Sequence, residues 1–589
     1  MLERVNYPID LKQLVQSELE ELASDIRKVL LKKMSICGGH FGSNFGIVEA
    51  TIALHYVFDS PRDKFIFDVS HQSYTHKILT GRKDAFIKEE HYRDVSGYTS
   101  PKESKHDHFS VGHTATSISL ACGMAKARDL AKRNENVIAI IGDGSLSGGE
   151  AYEGLNYASE LKSNLIVLVN DNGMSIADNH GGIYSNLKKL RETNGKYDCN
   201  FFVSLGFDYF YVQNGNNIHD LIECFNKVKN YNKPVVVHIC TEKGCGYLPA
   251  LNNKEMWHWR PPFKIETGEM CRPISNEETY DTILRDYLLK KIEKDSSVVA
   301  MVAAVPLSIR FTKTERNMAG KQFVDVGIAE EHAITMAAAI AKTGGKPIFT
   351  TDCTFYQRAY DQIAQELCIN SCPATLLVRN ASVAAMTDVT HLGIFDIPML
   401  SNIPNFIYLA PTTKQEYIQM LEWSIQQTQY PVGIRIPKGT VVSDEKSIDP
   451  LFGDINRFKM RKKGTDIAII AVGNMYQTGE TIISLLKKQY GIEGTLINPR
   501  FLSGIDEEML SMIKQDHNLV ITLEDGILDG GFGEKISRFY GCSSVKVKCY
   551  GLKKEFMDRY VPEQVITLNR MKAELIVEDI MQYYKGRID

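Results

Sequence analysis

The sequence predicts an α/β fold built from three doubly wound domains with mainly parallel sheets. Short apolar runs alternate with segments of helical period in three separate regions, the pattern of parallel strands with helices on both faces. Two stretches rich in proline, glycine and charge, 260–278 and 437–454, interrupt that pattern and are expected to be linkers. At 589 residues the chain is also too long for one core, given about 100–200 residues per domain. Domains are therefore expected over 1–275, 276–450 and 451–589.

In the first region "NVIAIIGDG" and "NLIVLVNDN" read as strands flanking a helical "GGEAYEGLNYASELK". In the second, "KQFVDVG", "KPIFTTDCT" and "ATLLVRN" read as strands. They are separated by "AEEHAITMAAAIAKTGG" and "FYQRAYDQIAQELCIN", both helical in period. The third region opens with "TDIAIIAVGN" and continues through "TIISLLKKQYG" to "EGTLINPR".

Composition excludes several function classes. Hydrophobic content of 43% and charged content of 24% are those of ordinary globular proteins. A net charge of −4 without a basic block gives no electrostatic footprint for nucleic acid or an anionic membrane. The amphipathic, acidic start "MLERVNYPIDLKQLVQSELEEL" lacks the apolar core of a signal peptide, and no run reaches the roughly 18 apolar residues of a membrane span. The 12 cysteines form no CxxC pair, and Cys240/Cys245 and Cys368/Cys372 lack zinc-ligand partners, so a reducing, cytoplasmic setting is expected.

The chemistry begins at "GDGSLSGG", where an apolar run ends in a glycine turn. It has no lysine for a Walker loop, and Gly142, Gly144 and Gly148 miss the dinucleotide spacing GxGxxG by one residue. Asp143 leaves one predicted strand and Asn172, 29 residues on, leaves the next. Adjacent parallel strands would bring the carboxylate and the amide oxygen to one sheet edge, where ligands of open α/β sheets gather. One carboxylate with neutral oxygens suits Mg²⁺ shared with substrate phosphates, whereas a lone GDG would more often be a helix-capping turn.

GDG followed by NDN resembles the thiamin-diphosphate signature. More closely, "CGGHFGSNFGIVEATIALHYVF", "FDVSHQSYTHKILTGR", "SVGHTATSIS", "GDGSLSGGEAYEGLNYA", "NDNGMSI", "EKGCGY", "DVGIAEEHA", "TFYQRAYDQ" and "GGFGEK" resemble the 1-deoxy-D-xylulose-5-phosphate synthase family, in the family's order through all three regions. The resemblance implies two thiamin-diphosphate-binding domains followed by a transketolase C-terminal-type domain, and thiamin diphosphate with Mg²⁺ as cofactors. It implies that Asp143, Asn172 and the main-chain carbonyl of Met174 hold the metal, and that Gly144 and Ser145 offer backbone N–H groups to the diphosphate. It places His71, Gly112, His113 and Thr114 around the cofactor, with Tyr247 in contact with it. Glu330 becomes the carboxyl group that activates the aminopyrimidine, and Phe355 stacks on that ring. His40 and His258 fall near the reacting carbons, where histidine does proton work. His391, Arg358 and Arg435 become substrate contacts, His391 also with a catalytic part and the arginines as phosphate forks.

The likeness breaks where the acceptor is read. The family's pocket tyrosine is replaced by Asp352, while Asn380 and Thr387 stand where an arginine and an aspartate are expected, with Arg379 and Asp388 one residue out of register. A buried carboxylate at 352 would repel an anionic donor unless it were paired. The segment after "SIADNHGG" is also shorter than family members carry. The implied activity joins pyruvate, with loss of CO2, to D-glyceraldehyde 3-phosphate in a homodimer. A paralogous transketolase-like enzyme with another donor or sugar phosphate is the alternative. A thiamin-binding regulator and a nicotinamide enzyme are more distant ones.

Overall fold

Continuous apolar strands need cover on both faces, and that requirement organises the molecule. The computed structural model describes residues 1–272, 277–439, 441–444 and 456–585. It divides into two compact units, Met1–Ser275 with Val326–Ala329, and Asn276–Asp325 with Glu330–Asp589. The expected boundaries at 275 and 450 fall outside the described residues.

The first unit is built on a parallel five-stranded sheet. Its strands are β1 (Lys64–Phe67), β2 (Val137–Gly142), β3 (Leu165–Asp171), β4 (Asp208–Val212) and β5 (Pro234–Cys240), in the order β1-β2-β3-β5-β4. Alternate residues of one strand enter opposite cores. Val137, Ala139 and Ile141 join Ile118, Ala121 and Leu155 on one side, while Ile138 and Ile140 join Ala50, Leu54 and Phe225 on the other. The helices over these faces include α2 (Val48–Val57), α3 (Ser117–Leu130), α4 (Gly149–Ala158), α5 (Gly182–Glu192) and α6 (Ile218–Val228), while α1 (Gln16–Cys37) packs in a separate apolar core with Phe41, Phe45 and Trp257. On α1 the buried Leu19, Leu22, Ala23, Ile26, Leu30 and Met34 follow the helical period, and each large one contributes about 1.5–3 kcal/mol by burial.

The expected linker at 260–278 is not one over its described part. Arg260 pairs antiparallel with Gly39, Phe263 enters the apolar core beside Trp257 and Phe41, and Phe263 and Met270 form an isolated bridge. Aromatic burial overrode a proline-rich composition. Residues 273–276 of that stretch, and 440 and 445–454 of the second expected linker, lie outside the described residues.

The second unit carries two further sheets. One is all parallel, with β6 (Val298–Val302), β7 (Phe323–Asp325), β8 (Lys346–Asp352), β9 (Thr375–Arg379), β10 (Ile407–Leu409) and β11 (Val432–Arg435) in the order β10-β11-β9-β8-β6-β7. The other orders β12 (Lys459–Lys462), β13 (Asp466–Ala471), β14 (Thr495–Asn498), β15 (His517–Ile527) and β16 (Lys546–Leu552) as β12-β14-β13-β15-β16, with only β12 antiparallel. The helix α7 (Glu330–Lys342) follows β7. The period-3.6 stretch after β8 is irregular, running through a 3-10 segment (Cys353–Ala359), one α turn and a π segment (Ile363–Cys368). These two sheets, expected in separate domains, fall in one compact unit, and Leu392 and Ile394 enter the core around β13 and β15.

Candidate active site

In the first unit the chemistry collects at the carboxyl edge of the sheet. β2 and β3 are adjacent and parallel, with Gly142 opposite Asn170, so the residues leaving them, Asp143 and Asn172, emerge side by side. The Asp143 carboxylate is buried and accepts the Asn179 side-chain N–H at 2.8 Å. Its pKa is raised, first by burial and then by the charge of Asp171. The Asn172 side-chain oxygen is buried with no hydrogen-bond donor facing it. A buried amide oxygen without a partner normally costs free energy, and with the buried carboxylate at the same sheet edge it could serve as an oxygen donor to a hard divalent cation. Met174, the third expected ligand, stands in the same turn, its backbone bridged to Asp178.

Two glycines of the turn, Gly144 and Gly148, are required by close approach. A Cβ on Gly144 would fall 2.8 Å from the Ser175 hydroxyl, and one on Gly148 would fall 2.5 Å from the Ala115 Cβ. The second contact brings in the loop of Gly112, His113 and Thr114, which precedes α3. Buried Asp68 holds that loop by accepting the N–H groups of Ala115 and Ser117 at 2.9 and 3.0 Å.

Three of the expected histidines converge. Ring centroids lie 5.0 Å apart for His40 and His71, 5.7 Å for His40 and His258, and 5.4 Å for His71 and His258. Asn44 ties two of them together, its side-chain N–H groups donating to the carbonyls of His40 and His71, each at 2.7 Å. His258 arrives with the two-residue pairing of Gly39–His40 and Trp259–Arg260. Burial pushes its pKa well below 6.5, so it stands neutral. Before His71, Val69 and Ser70 hold φ of 57° and 61°, left-handed values that cost about 1–3 kcal/mol each and are maintained by surrounding structure.

Sequence reasoning missed Lys243. It is buried, donates to the Ser175 carbonyl at 2.5 Å, and has its pKa lowered to about 8 by burial, opposed by the charge of Asp143. Its signal was the lysine of "EKGCGY" itself. Tyr247, from the same motif, requires a correction. Its hydroxyl donates to the Ile265 carbonyl at 2.7 Å and its ring packs against Phe41, Trp257 and Phe263, so it is an anchor of the aromatic core.

In the second unit Glu330 opens α7 and is buried. Its Oε2 lies 3.6 Å from the Arg358 guanidinium, and burial outweighs that charge in raising its pKa. Phe355 lies edge-on to His391 at 5.7 Å, and burial lowers the His391 pKa to about 4. Asp352 is paired: β8 and β9 place it opposite Arg379, whose guanidinium donates to it at 2.6 Å and to Asp281 twice at 2.9 Å. The register shift thus supplies the partner that a carboxylate at 352 needs. Asn380 takes a left-handed φ of 52°, and the Thr387 carbonyl accepts the Arg559 N–H at 2.6 Å. Arg435 is the second correction. It is 1% exposed and saturated by Asp396 at 2.7 Å and Asp525 at 2.6 Å, so no fork remains for a phosphate.

Residues 2–199 and 193–241 match a family model described as 1-deoxy-D-xylulose-5-phosphate synthase. Residues 277–442 match the transketolase pyrimidine binding domain and 456–567 the transketolase C-terminal domain. A 1-deoxy-D-xylulose-5-phosphate synthase of Halothermothrix orenii is 36% identical over 100% of this chain and 98% of its own length. The chain belongs to the 1-deoxy-D-xylulose-5-phosphate synthase family. Family members from Natranaerobius thermophilus (37% identical, covering 100% of this chain and 99% of the relative) and Listeria monocytogenes (39%, 94% and 92%) agree over nearly the whole length. Membership makes the chain a thiamin-diphosphate-dependent transferase of the transketolase class. Among the described residues no helix is long and apolar enough to cross a membrane.

Proposed function

We propose that this enzyme joins pyruvate and D-glyceraldehyde 3-phosphate to give 1-deoxy-D-xylulose 5-phosphate and CO2. The observation that carries the cofactor half of the reading is the buried, partnerless Asn172 oxygen beside buried Asp143. Asp143, Asn172 and the Met174 carbonyl would hold Mg²⁺, and the Gly144 and Ser145 N–H groups would meet the diphosphate it neutralises. When bound, thiamin diphosphate supplies the carbanion-stabilising centre at which pyruvate loses CO2 and the remaining two-carbon unit is passed on.

The protein's own groups set the conditions. Glu330, held protonated more readily by burial, would hydrogen-bond the pyrimidine nitrogen, with Phe355 against the ring face. His71, Gly112, His113 and Thr114 would line the diphosphate half-site of the first unit. His258, which burial keeps neutral and makes a weaker base, would hydrogen-bond the reacting groups, and His40 beside it would carry the proton. In the second unit His391 would contact the substrate and Arg358 would meet its phosphate, because Arg435 and Arg379 are consumed by carboxylates. Three domains, 1–275, 276–450 and 451–589, a homodimer and a cytoplasmic setting belong to the same proposal. Twelve free cysteines support the reducing compartment.

Incubating the loaded enzyme with pyruvate and glyceraldehyde 3-phosphate, and reading CO2 release and product mass, tests the reading. Absence of CO2 release would sink it. A second reading, a paralogue taking an acceptor without phosphate, is favoured by the saturation of Arg379 and Arg435. It predicts that an unphosphorylated hydroxyaldehyde is joined with a kcat/KM at least equal to that of the phosphorylated one.

A further inference from the structure

Beyond the expected ligands, one fully buried carboxylate, Asp171, directs the turn that presents them. It ends β3, immediately before Asn172, and accepts hydrogen bonds from three directions. The Gly173 N–H donates to its Oδ1 at 2.9 Å, across the Asn172 peptide. The Arg191 guanidinium from α5 reaches both oxygens at 2.7 and 2.5 Å. His238 Nε2 lies 2.9 Å from Oδ2, and the Tyr209 hydroxyl lies 2.7 Å from His238 Nδ1. With Nε2–H donating to the carboxylate, Nδ1 accepts from Tyr209, so the network runs in one direction from β4 through β5 to β3. Gly173 takes a φ of 75°, which lets the chain reverse within hydrogen-bond reach of its own Asp171.

Asp171, His238 and Cys240 offer ligand atoms within 4.8 Å of one another, yet this cluster does not call for an ion of its own. The Arg191 guanidinium already supplies a positive charge there. With its lone pairs engaged in this way, Asp171 is a fixed post, while the neighbouring Asn172 oxygen is the group left without a donor.

We propose that Asp171 is a positioning residue that pre-assembles the Asn172–Met174 turn for a divalent cation, itself locked by Arg191 and the His238–Tyr209 pair. The proposal rests on the metal site read above. Outer partners that fix a ligand's orientation are worth about tenfold to a hundredfold in metal affinity.

The test uses the full chain with thiamin diphosphate and Mn²⁺ as the spectroscopic probe, its binding read by electron paramagnetic resonance. Asp171→Asn should weaken Mn²⁺ binding about tenfold to a hundredfold in protein that remains folded by circular dichroism. A merely structural Asp171 would lower the melting temperature and leave the Mn²⁺ affinity of the folded protein unchanged, and that result overturns the proposal. If Asp171→Asn does not fold, Tyr209→Phe removes only the outermost hydrogen bond. A smaller loss of Mn²⁺ affinity in that variant supports the proposal, and an unchanged affinity overturns it. Asp143→Asn separates the two levels, since retained Mn²⁺ binding there would refute the metal site itself.

Discussion

Replacing Arg435 by leucine should destabilise the second unit without first weakening substrate binding. Its guanidinium lies 2.7 Å from Asp396 and 2.6 Å from Asp525, with Tyr408 donating to Asp396 at 2.5 Å and Asn474 to Asp525 at 2.9 Å. All three charges are buried to within 1% exposure. Removing the cation strands two carboxylates in a medium that cannot solvate them, a loss of about 3–5 kcal/mol for a broken buried pair. At about 2 °C per kcal/mol for a unit of this size, the melting transition of the cofactor-free chain should fall by about 6–10 °C. Scanning calorimetry reads that shift. Adding Asp525→Asn to Arg435→Leu should recover part of the loss, and the double-mutant cycle measures the coupling. An unmoved transition together with a tenfold rise in KM for the phosphorylated acceptor would refute this reasoning and restore Arg435 as a phosphate ligand.

Two further outcomes follow from the geometry. Because burial raises the Glu330 pKa above 4.5, its ionised form costs stability once pH rises through the folded-state value. Glu330→Gln should therefore melt higher than the parent at pH 8 while losing turnover, and the two melting temperatures should meet near pH 4, below the ordinary glutamate value; a pH-independent difference would contradict the assignment. Gly144→Ala drives a Cβ to 2.8 Å from the Ser175 hydroxyl and 2.9 Å from its Cα, whereas a Cβ on Gly142 meets nothing within 4 Å. Mg²⁺-dependent binding of thiamin diphosphate, read by fluorescence quenching, should fall at least tenfold for Gly144→Ala and stay unchanged for Gly142→Ala. Equal affinities in the two variants would be the contrary result.

What the linear sequence determined was whatever rests on period and spacing. Apolar runs such as "VIAIIG" and "LIVLVND" have too little polar surface to face water, so they dictated parallel strands buried on both sides. The 29 residues between Asp143 and Asn172 correspond to one strand–helix–strand unit, so their adjacency was legible in the sequence alone. Partner choice was not legible, because it joins residues far apart in the chain. Nothing local to "GIRIPKG" announces that Arg435 will meet Asp396 and Asp525, and nothing near "EKGCGY" shows the Tyr247 hydroxyl turning to Ile265. Composition likewise marked 260–272 as a linker, although one phenylalanine and one backbone pairing fold it into the first unit. Tertiary structure alone decided which charges are spent. An arginine beside one carboxylate can still bind a substrate, but Arg379 and Arg435, each enclosed by two, cannot, because moving either would strand buried negative charge.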